Sequence, residues 1–323
     1  MSIISNCTVE AIKDAAAALI KGDLVAFPTE TVYGLGADAT NEDAIARIYK
    51  VKGRPEGHPL IVHISSLGNI DKWARDIPEY AIKLARAFWP GPMTLILPRT
   101  DLAMDFITGG QDNIGIRIPA HTVALALLKE FEDQGGLGIA APSANRFGAV
   151  SPTTASAVEI ELANFLCEND QILDGGSCLV GVESTIINCT QKKPSILRPG
   201  AVTKEMIEDT LGVTVDLNTS NSESTQIKAA GLLESHYAPN AKIVLTGSPT
   251  LGDGFIALDS VTTPSGAIRV ASPKSNEEYA QVLYEAFRLA DIMGLRRVIA
   301  IPPTGAGIAV AINDRLNKSA FEK

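Results

Sequence analysis

The chain has 323 residues, more than a single hydrophobic core usually serves, so we expect two domains. Apolar residues make up 46% and charged residues 20%, a composition typical of folded globular proteins that excludes intrinsic disorder. The 28 lysines and arginines against 37 aspartates and glutamates give a net charge of −9, which disfavours broad binding to nucleic acid or to membrane surfaces.

The cysteines and the N-terminal residues favour a reducing compartment. Cys7, Cys167, Cys178 and Cys189 form no C-x-x-C pair and have no histidine at metal-ligand spacing, so we expect reduced thiols. The first residues lack the basic segment, the continuous apolar segment and the cleavage site of a secretory signal. No stretch reaches the roughly 18 uninterrupted apolar residues of a membrane-spanning helix. We therefore expect a cytoplasmic protein.

The first two-thirds of the chain alternates predicted helices with short apolar strands. A helix is predicted over residues 8–21, ended by Gly22, and a strand follows at 24–27. Further helices are predicted to begin at Thr40, Pro78 and His121. Further strands are predicted at 60–64, 93–97, 114–118, 138–141, 184–189 and 195–198. This alternation indicates a mixed α/β sheet.

A polar stretch at residues 213–226 has no periodicity and is interpreted as a linker. Its position separates the first unit from a second α/β unit, in which a long helix has Ser275 and Glu278 in a capping-box arrangement and ends at Gly294. The turn at 304–307 before the last helix is interpreted as structural, because a lone G-x-G is a weak signal for a phosphate site. Strands of this unit are predicted at 243–245, 255–258 and 297–301.

Cations and small polar side chains occur in pairs at a spacing of two residues. Lys52 and Arg54 lie in a Gly/Pro-containing stretch predicted to be extended, which would point both cations to one spot. A solvated basic loop is the alternative interpretation of this pair taken alone. Ser143 and Asn145 follow a buried-looking strand at the same spacing and are small donors and acceptors suited to a ligand.

Two more arginines and a histidine lie on or after predicted strands. The isoleucines of residues 114–118 share one strand face, which leaves Arg117 on the other face, where a cation needs an anionic partner or solvent. His63 lies on the face of its strand opposite Val62, where it could belong to a binding site. The alternative interpretation is a core histidine whose hydrogen bonds are satisfied within the protein. Arg198 ends a strand, and its guanidinium suits phosphate or carboxylate binding. Three arginines and a lysine in an acidic protein predict an anion pocket.

Six short motifs are spread over the first two-thirds of the chain: PTETVYGLG at 28–36, KGRP at 52–55, SAN at 143–145, SPT at 151–153, STI at 184–186 and RPG at 198–200. In order and spacing these motifs closely resemble the YrdC family over residues 5 to 205. The remainder is similar to the longer, two-domain branch of that family, in which a linker ending in His-Tyr-Ala-Pro, here 236–239, precedes a small Rossmann-like domain.

The resemblance implies a fold, a division into domains and a reaction. The fold is α/β, with a YrdC-like mixed twisted sheet in a catalytic domain at 1–205, a linker or lid over the active site at 206–240, and a smaller Rossmann-like domain at 241–323. The reaction converts L-threonine, bicarbonate and ATP into L-threonylcarbamoyladenylate and pyrophosphate. A partner complex then uses the adenylate for N6-threonylcarbamoylation of adenosine in tRNA, while direct tRNA binding by this chain is expected to be weak or absent.

The resemblance also implies roles for individual residues. Arg117 would pair with the threonine carboxylate, and His63 would position the substrate rather than act as a base. Magnesium is expected on the ATP phosphates without side-chain ligands. The residues expected to contact ATP are Arg54, His58, Asn113, Ser143, Ser151, Arg198 and Tyr237. The residues expected in catalysis are Lys52, Arg54, Ser143 and Asn145. The residues expected to bind threonine are Thr31, His63, Arg117, Ala141 through its backbone, and Ser184.

Two alternative functions remain open at this point. A carbamoyl-AMP-forming module of hydrogenase maturation shares the YrdC fold and adenylate chemistry, but it would normally be accompanied by a zinc-finger region, and the cysteines here lack that spacing. An RNA-binding module could use the Lys52 and Arg54 surface, but the acidic charge balance and the absence of interleaved aromatic residues disfavour it.

Overall fold

The computed structural model describes residues 4–217, 227 and 237–321. Its larger sheet is built from β1 (Ile4–Asn6), β2 (Val25–Phe27), β3 (Gly34–Asp38), β4 (Ile61–His63), β5 (Met93–Pro98), β6 (Asn113–Arg117), β7 (Ile139–Ala140), β8 (Gln171–Asp174), β9 (Thr185–Asn188), β10 (Ser195–Arg198) and β11 (Asp216–Leu217). The helices of the same unit are α1 (Val9–Ile20), α2 (Glu42–Lys52), α3 (Ile70–Trp73), α4 (Glu79–Phe88), α5 (Asp105–Thr108), α6 (Thr122–Asp133), α7 (Ala155–Leu162) and α8 (Lys204–Leu211). A 3-10 helix spans Leu67–Asn69.

The strands of the larger sheet run in the order β1-β8-β2-β3-β7-β4-β6-β5-β9-β10-β11. The sheet is mixed, because β4 pairs with β6 and β5 with β9 in parallel, whereas β5 pairs with β6 and β9 with β10 in antiparallel. These directions bring the end of β6, the start of β9 and the end of β10 to one edge of the sheet. The register of β4 and β6 places His63 directly beside Arg117.

Both faces of this sheet are covered by helices, which explains the strongly apolar strands. In β2, Val25 and Phe27 pack with α1 and α6 on one face, while Ala26 packs into the main core on the other face. Helix α1 begins at the cap Thr8, whose hydroxyl accepts a hydrogen bond from the Ala11 backbone N–H. The alternation of side chains along each strand therefore fills two apolar layers.

The C-terminal unit contains a second, smaller sheet. Its four strands pair in parallel in the order β12-β15-β13-β14 among the described residues. Ser275 caps α9 by accepting from the Glu278 N–H, and the Glu278 carboxylate accepts from the N–H of Lys274 rather than from Ser275. The elements are β12 (Lys242–Val244), β13 (Gly254–Ile256), β14 (Ile268–Ala271), α9 (Asn276–Ile292), β15 (Arg297–Ala300) and α10 (Ile308–Ala320). The predicted second α/β unit is confirmed.

The chain around the predicted linker contributes to the larger sheet. Helix α8 includes residue 205, the predicted end of the catalytic domain, and β11 pairs in parallel with β10. The rest of the predicted lid, including His236, lies outside the described residues except for 227 and 237–240. The division at 205 and 240 therefore stays a prediction. No helix within the described ranges is long and apolar enough to cross a membrane.

One local prediction was wrong. The stretch around Lys52 and Arg54 is not extended, because α2 continues through Lys52 and ends at Gly53. Gly53 has a φ of 59°, the left-handed conformation that commonly closes a helix and favours glycine. The helix end turns the chain between the two cations, so their side chains do not share a direction.

Candidate active site

A cavity lies at the edge of the larger sheet, where the C-terminal unit packs against it. Its wall also includes Tyr237, from the segment that precedes the C-terminal unit. Nine residues predicted from the sequence line this cavity: Thr31, Arg54, His63, Arg117, Ala141, Ser143, Ser184, Arg198 and Tyr237. All five residues expected to bind threonine are therefore together, with three arginines from separate stretches of the chain.

Lys52 is buried behind this cavity rather than on its wall. Its ammonium group donates to the backbone carbonyls of Ser143 and Asn145, both at 2.5 Å. Burial, followed by the nearby Arg54 charge, lowers the pKa of Lys52 well below its ordinary value. The Asn145 side-chain amide donates to the carbonyls of Arg146 and Ala149, both at 2.8 Å. In this arrangement Lys52 and Asn145 fix the loop that presents Ser143 to the cavity.

The other predicted ATP residues also lie off the cavity wall. Ser151 donates its hydroxyl hydrogen to Glu183 at 2.6 Å, so its oxygen can accept a hydrogen bond but cannot also donate to a phosphate. His58 contacts Phe147 edge to face, with ring centroids 5.6 Å apart, and Arg54 lies over the same Phe147 ring. Asn113 begins β6, at the opposite end of that strand from Arg117.

Arg117 is held in place from behind by a buried carboxylate. Its Nη2 donates to Oε1 of Glu30 at 2.7 Å, and its Nε donates to the Gly91 carbonyl at 3.3 Å. The second oxygen of Glu30 accepts from the backbone N–H of Ala120 at 3.0 Å. This bracing pre-orients the guanidinium for a planar anion in the cavity.

Arg198 forms a second cluster that is held by hydrogen bonds, together with the hydroxyl groups of Ser184 and Thr94. The Nε and Nη2 of Arg198 donate to the carbonyl of Ser184 at 3.0 and 2.8 Å, and Nη2 also reaches the Ser184 hydroxyl at 3.1 Å. The Ser184 hydroxyl lies 2.8 Å from that of Thr94. Strand β10 thus sets the direction of Arg198, and Ser184, the residue before β9, holds it there.

The hydroxyl groups of Thr29 and Thr31, which follow β2, are linked by a hydrogen bond whose donor can be assigned. The Thr29 hydroxyl donates to the Val32 carbonyl at 2.6 Å, and it lies 2.8 Å from the Thr31 hydroxyl. A hydroxyl has a single hydrogen, so Thr31 must be the donor in that pair. The oxygen of Thr31 is therefore left as an acceptor on the cavity wall, suited to an ammonium or hydroxyl group.

Two buried polar atoms on the wall indicate that the cavity serves a ligand. Nδ1 of His63 and Nε of Arg54 have no hydrogen-bond partner within the described part of the chain. Buried polar atoms are nearly always paired in folded proteins, and exceptions are concentrated at functional sites. Burial, followed by the Arg117 charge, lowers the pKa of His63 to about 3, so its ring is neutral near pH 7. A neutral ring can position a substrate without adding charge.

The prediction from sequence missed four residues around the cavity. Glu30 lies inside the quoted motif at 28–36, but its role depends on Arg117, which is 87 residues away. Glu183 lies on the wall and binds Tyr284 and Arg315 of the C-terminal unit. A signal for Arg315 was present, because it falls on the buried, mainly apolar stripe of α10 with Ala311, Ile312, Leu316 and Ser319.

Comparison with known proteins identifies the family. A family model described as "Telomere recombination", for Sua5, YciO and YrdC proteins, matches residues 17–200. The model of the threonylcarbamoyl-AMP synthase C-terminal domain matches residues 202–321.

Relatives and a solved structure extend over both units. Threonylcarbamoyl-AMP synthase from Pyrococcus abyssi is 37% identical over 96% of this chain and 94% of its own length. The enzyme of that name from Bacillus subtilis is 39% identical over 96% and 92%. The crystal structure of Sua5 from P. abyssi complexed with L-threonine superposes with a TM-score of 0.88 at 36% identity, covering 99% of this chain and 98% of that one. The chain therefore belongs to the Sua5, YciO and YrdC family, in the two-domain branch of threonylcarbamoyl-AMP synthases.

Proposed function

We propose that the cavity joins threonine, bicarbonate and ATP into L-threonylcarbamoyladenylate and pyrophosphate, with threonine beside Arg117 and the ATP phosphates toward Arg54 and Arg198. The observation that carries this proposal is the convergence of these three guanidinium groups on one buried wall. A substrate with one carboxylate would need one of them. A reaction between a carboxylated amino acid and a nucleoside triphosphate needs several, because it brings anions together.

The chemistry requires positioning more than a reactive side chain. The threonine amine and bicarbonate first give an N-carboxylate and water. An oxygen of that N-carboxylate then attacks the α-phosphorus of ATP, the bond to the β-phosphate breaks, and pyrophosphate leaves. The nucleophile comes from the substrate, so the protein contributes orientation and charge neutralisation. Arg54 and Arg198 supply fixed positive charge, and Lys52 and Asn145 hold Ser143 in place.

The threonine half of the cavity matches the functional groups of the amino acid. Arg117 faces the carboxylate, the Thr31 oxygen accepts from the ammonium or hydroxyl group, and His63 supplies a neutral ring nitrogen. The backbone at Ala141 and the hydroxyl of Ser184 complete this half. A relative crystallised with L-threonine supports the choice of amino acid.

We further propose that residues 206–240 form a lid between a catalytic unit at 1–205 and the smaller unit at 241–323. The cavity encloses only about 50 Å³, whereas sites for ligands of ordinary size measure roughly 300–1,000 Å³. We infer that part of the wall moves when ATP enters. Tyr237 is the lid residue that lies on this wall among the described residues, and its φ of 64° is a strained conformation for a residue with a side chain, which a movement of the lid would relieve.

Magnesium enters in this proposal as part of the MgATP substrate, since that ion prefers phosphate oxygens and its own waters. The described residues contain no group of three or more histidine, cysteine or carboxylate side chains that could hold a metal ion. The adenylate is a mixed anhydride, an activated acyl donor that must pass to a second enzyme acting on tRNA. The match of residues 202–321 to the synthase C-terminal domain favours this function over a carbamoyl-AMP-forming module.

Mass spectrometry of the reaction products tests the proposal. Purified protein is incubated with MgATP, ¹³C-bicarbonate and threonine, serine or no amino acid. We expect threonylcarbamoyl-AMP containing one ¹³C, together with equimolar pyrophosphate, in the threonine sample. Pyrophosphate release that is independent of the amino acid, or formation of carbamoyl-AMP in a further sample that contains carbamoyl phosphate instead of bicarbonate, would contradict it.

A further inference from the structure

A buried carboxylate lies on the phosphate side of the cavity, where a negative charge is unfavourable for ATP. Glu183 is 6% exposed and lines the cavity together with Arg198 and Tyr237. Even with its magnesium ion, ATP carries a net negative charge, and a buried carboxylate near the phosphates repels it more strongly than it would in water. The site can therefore bind ATP well only if the charge of Glu183 is neutralised.

The neutralising charge comes from the C-terminal unit. Nε of Arg315, on α10, lies 2.8 Å from Oε2 of Glu183, and the arginine side chain is fully buried. Tyr284, on α9, donates its hydroxyl to the same carboxylate at 2.9 Å. Burial would raise the pKa of Glu183, but Arg315 and then Arg198 lower it to about 2, so the carboxylate is charged near pH 7.

Arg315 is available for this role because its other neighbouring carboxylate is already paired. Asp314 lies 2.6 Å from Nη1 of Arg315, but it also binds the ammonium group of Lys318 at 2.8 Å. The charges of Asp314 and Lys318 balance each other. The remaining positive charge of Arg315 therefore balances Glu183.

Glu183 and Arg315 also contact residues of the site that are expected to bind ATP. Oε1 of Glu183 accepts the hydrogen of the Ser151 hydroxyl at 2.6 Å, which fixes the direction of the Ser151 lone pairs. Nη1 of Arg315 donates at 3.0 Å to the carbonyl of Pro199, the residue after Arg198. The guanidinium of Arg315 also lies over the Tyr237 ring, 5.4 Å from its centroid. A single side chain thus contacts Glu183, the loop after Arg198 and the proposed lid.

We propose that Arg315 is a positioning residue for ATP: it neutralises Glu183 and fixes Ser151, Pro199 and Tyr237, so that the C-terminal unit completes the phosphate side of the cavity. This inference rests on the function proposed above. It gives the C-terminal unit a direct role in nucleotide binding and no role in threonine binding.

Calorimetric binding of the magnesium complex of α,β-methylene-ATP tests this inference without requiring turnover. The variants are Arg315→Met, Glu183→Gln with Arg315→Met, and Tyr284→Phe, and the matched control is Arg296→Met, an exposed arginine of the same unit. Binding of L-threonine is measured in parallel. A failure of the wild-type protein to form the adenylate would contradict the proposed function, whereas these binding constants decide the role of Arg315.

We expect Arg315→Met to raise the Kd for the nucleotide at least about tenfold, because a buried charge loses its partner, with the Kd for threonine changed less than about twofold. The double variant removes both charges and should recover most of the affinity. Tyr284→Phe, which keeps the ring, should raise the nucleotide Kd by about three- to tenfold through one lost hydrogen bond to a charged group. Arg296→Met should bind both ligands as the wild type does.

Three results would overturn the inference. The first is an unchanged nucleotide Kd in Arg315→Met. The second is an equal loss of nucleotide and threonine affinity, which would indicate a purely structural role. The third is a double variant that binds no better than Arg315→Met. If thermal melting shows that Arg315→Met does not fold, Tyr284→Phe decides, and an unchanged nucleotide Kd in that variant overturns the inference.

Discussion

Glu30 and Arg117 form a buried ion pair behind the wall of the cavity, with 2.7 Å between Oε1 and Nη2. Both side chains are less than 10% exposed. In the ligand-free protein Glu30 is the counter-charge of Arg117, and in the proposed complex the threonine carboxylate would be a second one. The stability of the ligand-free protein and its response to threonine are therefore linked through this pair.

Glu30→Gln should lower the free energy of unfolding by about 3 kcal/mol, because Arg117 is left as an unbalanced buried charge. Threonine should then raise the melting temperature more in the variant than in the wild type, since its carboxylate replaces the missing charge. Threoninol, which lacks the carboxylate, should give no such difference. The control Asp133→Asn breaks an exposed pair with Lys129 and should leave the stability nearly unchanged. Equal threonine-induced shifts in Glu30→Gln and the wild type would contradict the contact with Arg117.

Lys52 and Arg54 should respond differently to substitution, although they are only two residues apart. Lys52→Met removes two donors to buried carbonyls and should lower the free energy of unfolding by about 2 kcal/mol as well as the activity. Arg54→Ala should reduce pyrophosphate release by roughly 10²-fold, because it removes a charge-stabilising donor. Its loss of stability should be smaller than that of Lys52→Met, because Nη2 of Arg54 donates to the Pro59 carbonyl at the longer distance of 3.2 Å and its Nε has no partner in the described structure. Urea unfolding and pyrophosphate release are measured on both variants. A stable Lys52→Met enzyme with near-normal turnover would show that the loop at Ser143 does not depend on Lys52.

His63 should make the folded protein sensitive to acid. Its pKa is lowered from an ordinary value of 6.5 to about 3, so the unfolded chain takes up a proton between these values while the folded protein does not. Stability should therefore fall as the pH drops through this range. Between pH 7 and pH 5 the wild type should lose about 2 kcal/mol more than His63→Asn, by comparison of urea unfolding curves. Equal losses would mean that His63 is protonated in the folded protein.

Tyr237 should control how long ATP stays bound. Tyr237→Asn removes the ring from the wall, while asparagine tolerates the positive φ of this position. The release of a fluorescent ATP analogue, followed by stopped flow, should be about tenfold faster than in the wild type, because a buried aromatic contact is lost. Tyr80→Asn makes the same change at a tyrosine whose hydroxyl binds Gln191, away from the cavity, and should leave the rate unchanged. A wild-type release rate in Tyr237→Asn would exclude it as part of the lid.

The sequence predicted the local elements well where capping residues and periodicity agree. Thr8 and Gly22 flank α1 closely, and Ser275 and Gly294 do the same for α9. The alternation in β4 and β6 correctly placed His63 on the face opposite Val62, and Arg117 on the face opposite the isoleucines of residues 114–118. It could not show that β4 and β6 are neighbours, because strand order depends on packing of the whole sheet.

The predictions that were wrong or missing depend on features that local sequence patterns do not show. Lys52 and Arg54 were expected to point together, but Gly53 adopts a left-handed conformation that the residue types alone did not reveal. Glu183 and Arg315 are 132 residues apart, so their pairing could not be read from spacing. The motifs shared with a known family supplied the reaction. The contacts that brace its residues became visible only in the folded structure.

A crystal structure with both L-threonine and α,β-methylene-ATP bound would show whether the cavity holds the two substrates side by side. We expect the threonine carboxylate on Arg117, the amine directed toward the α-phosphate, and the phosphates against Arg54 and Arg198. A structure in which the nucleotide binds away from these arginines, or in which threonine and the α-phosphate lie too far apart to react, would contradict it.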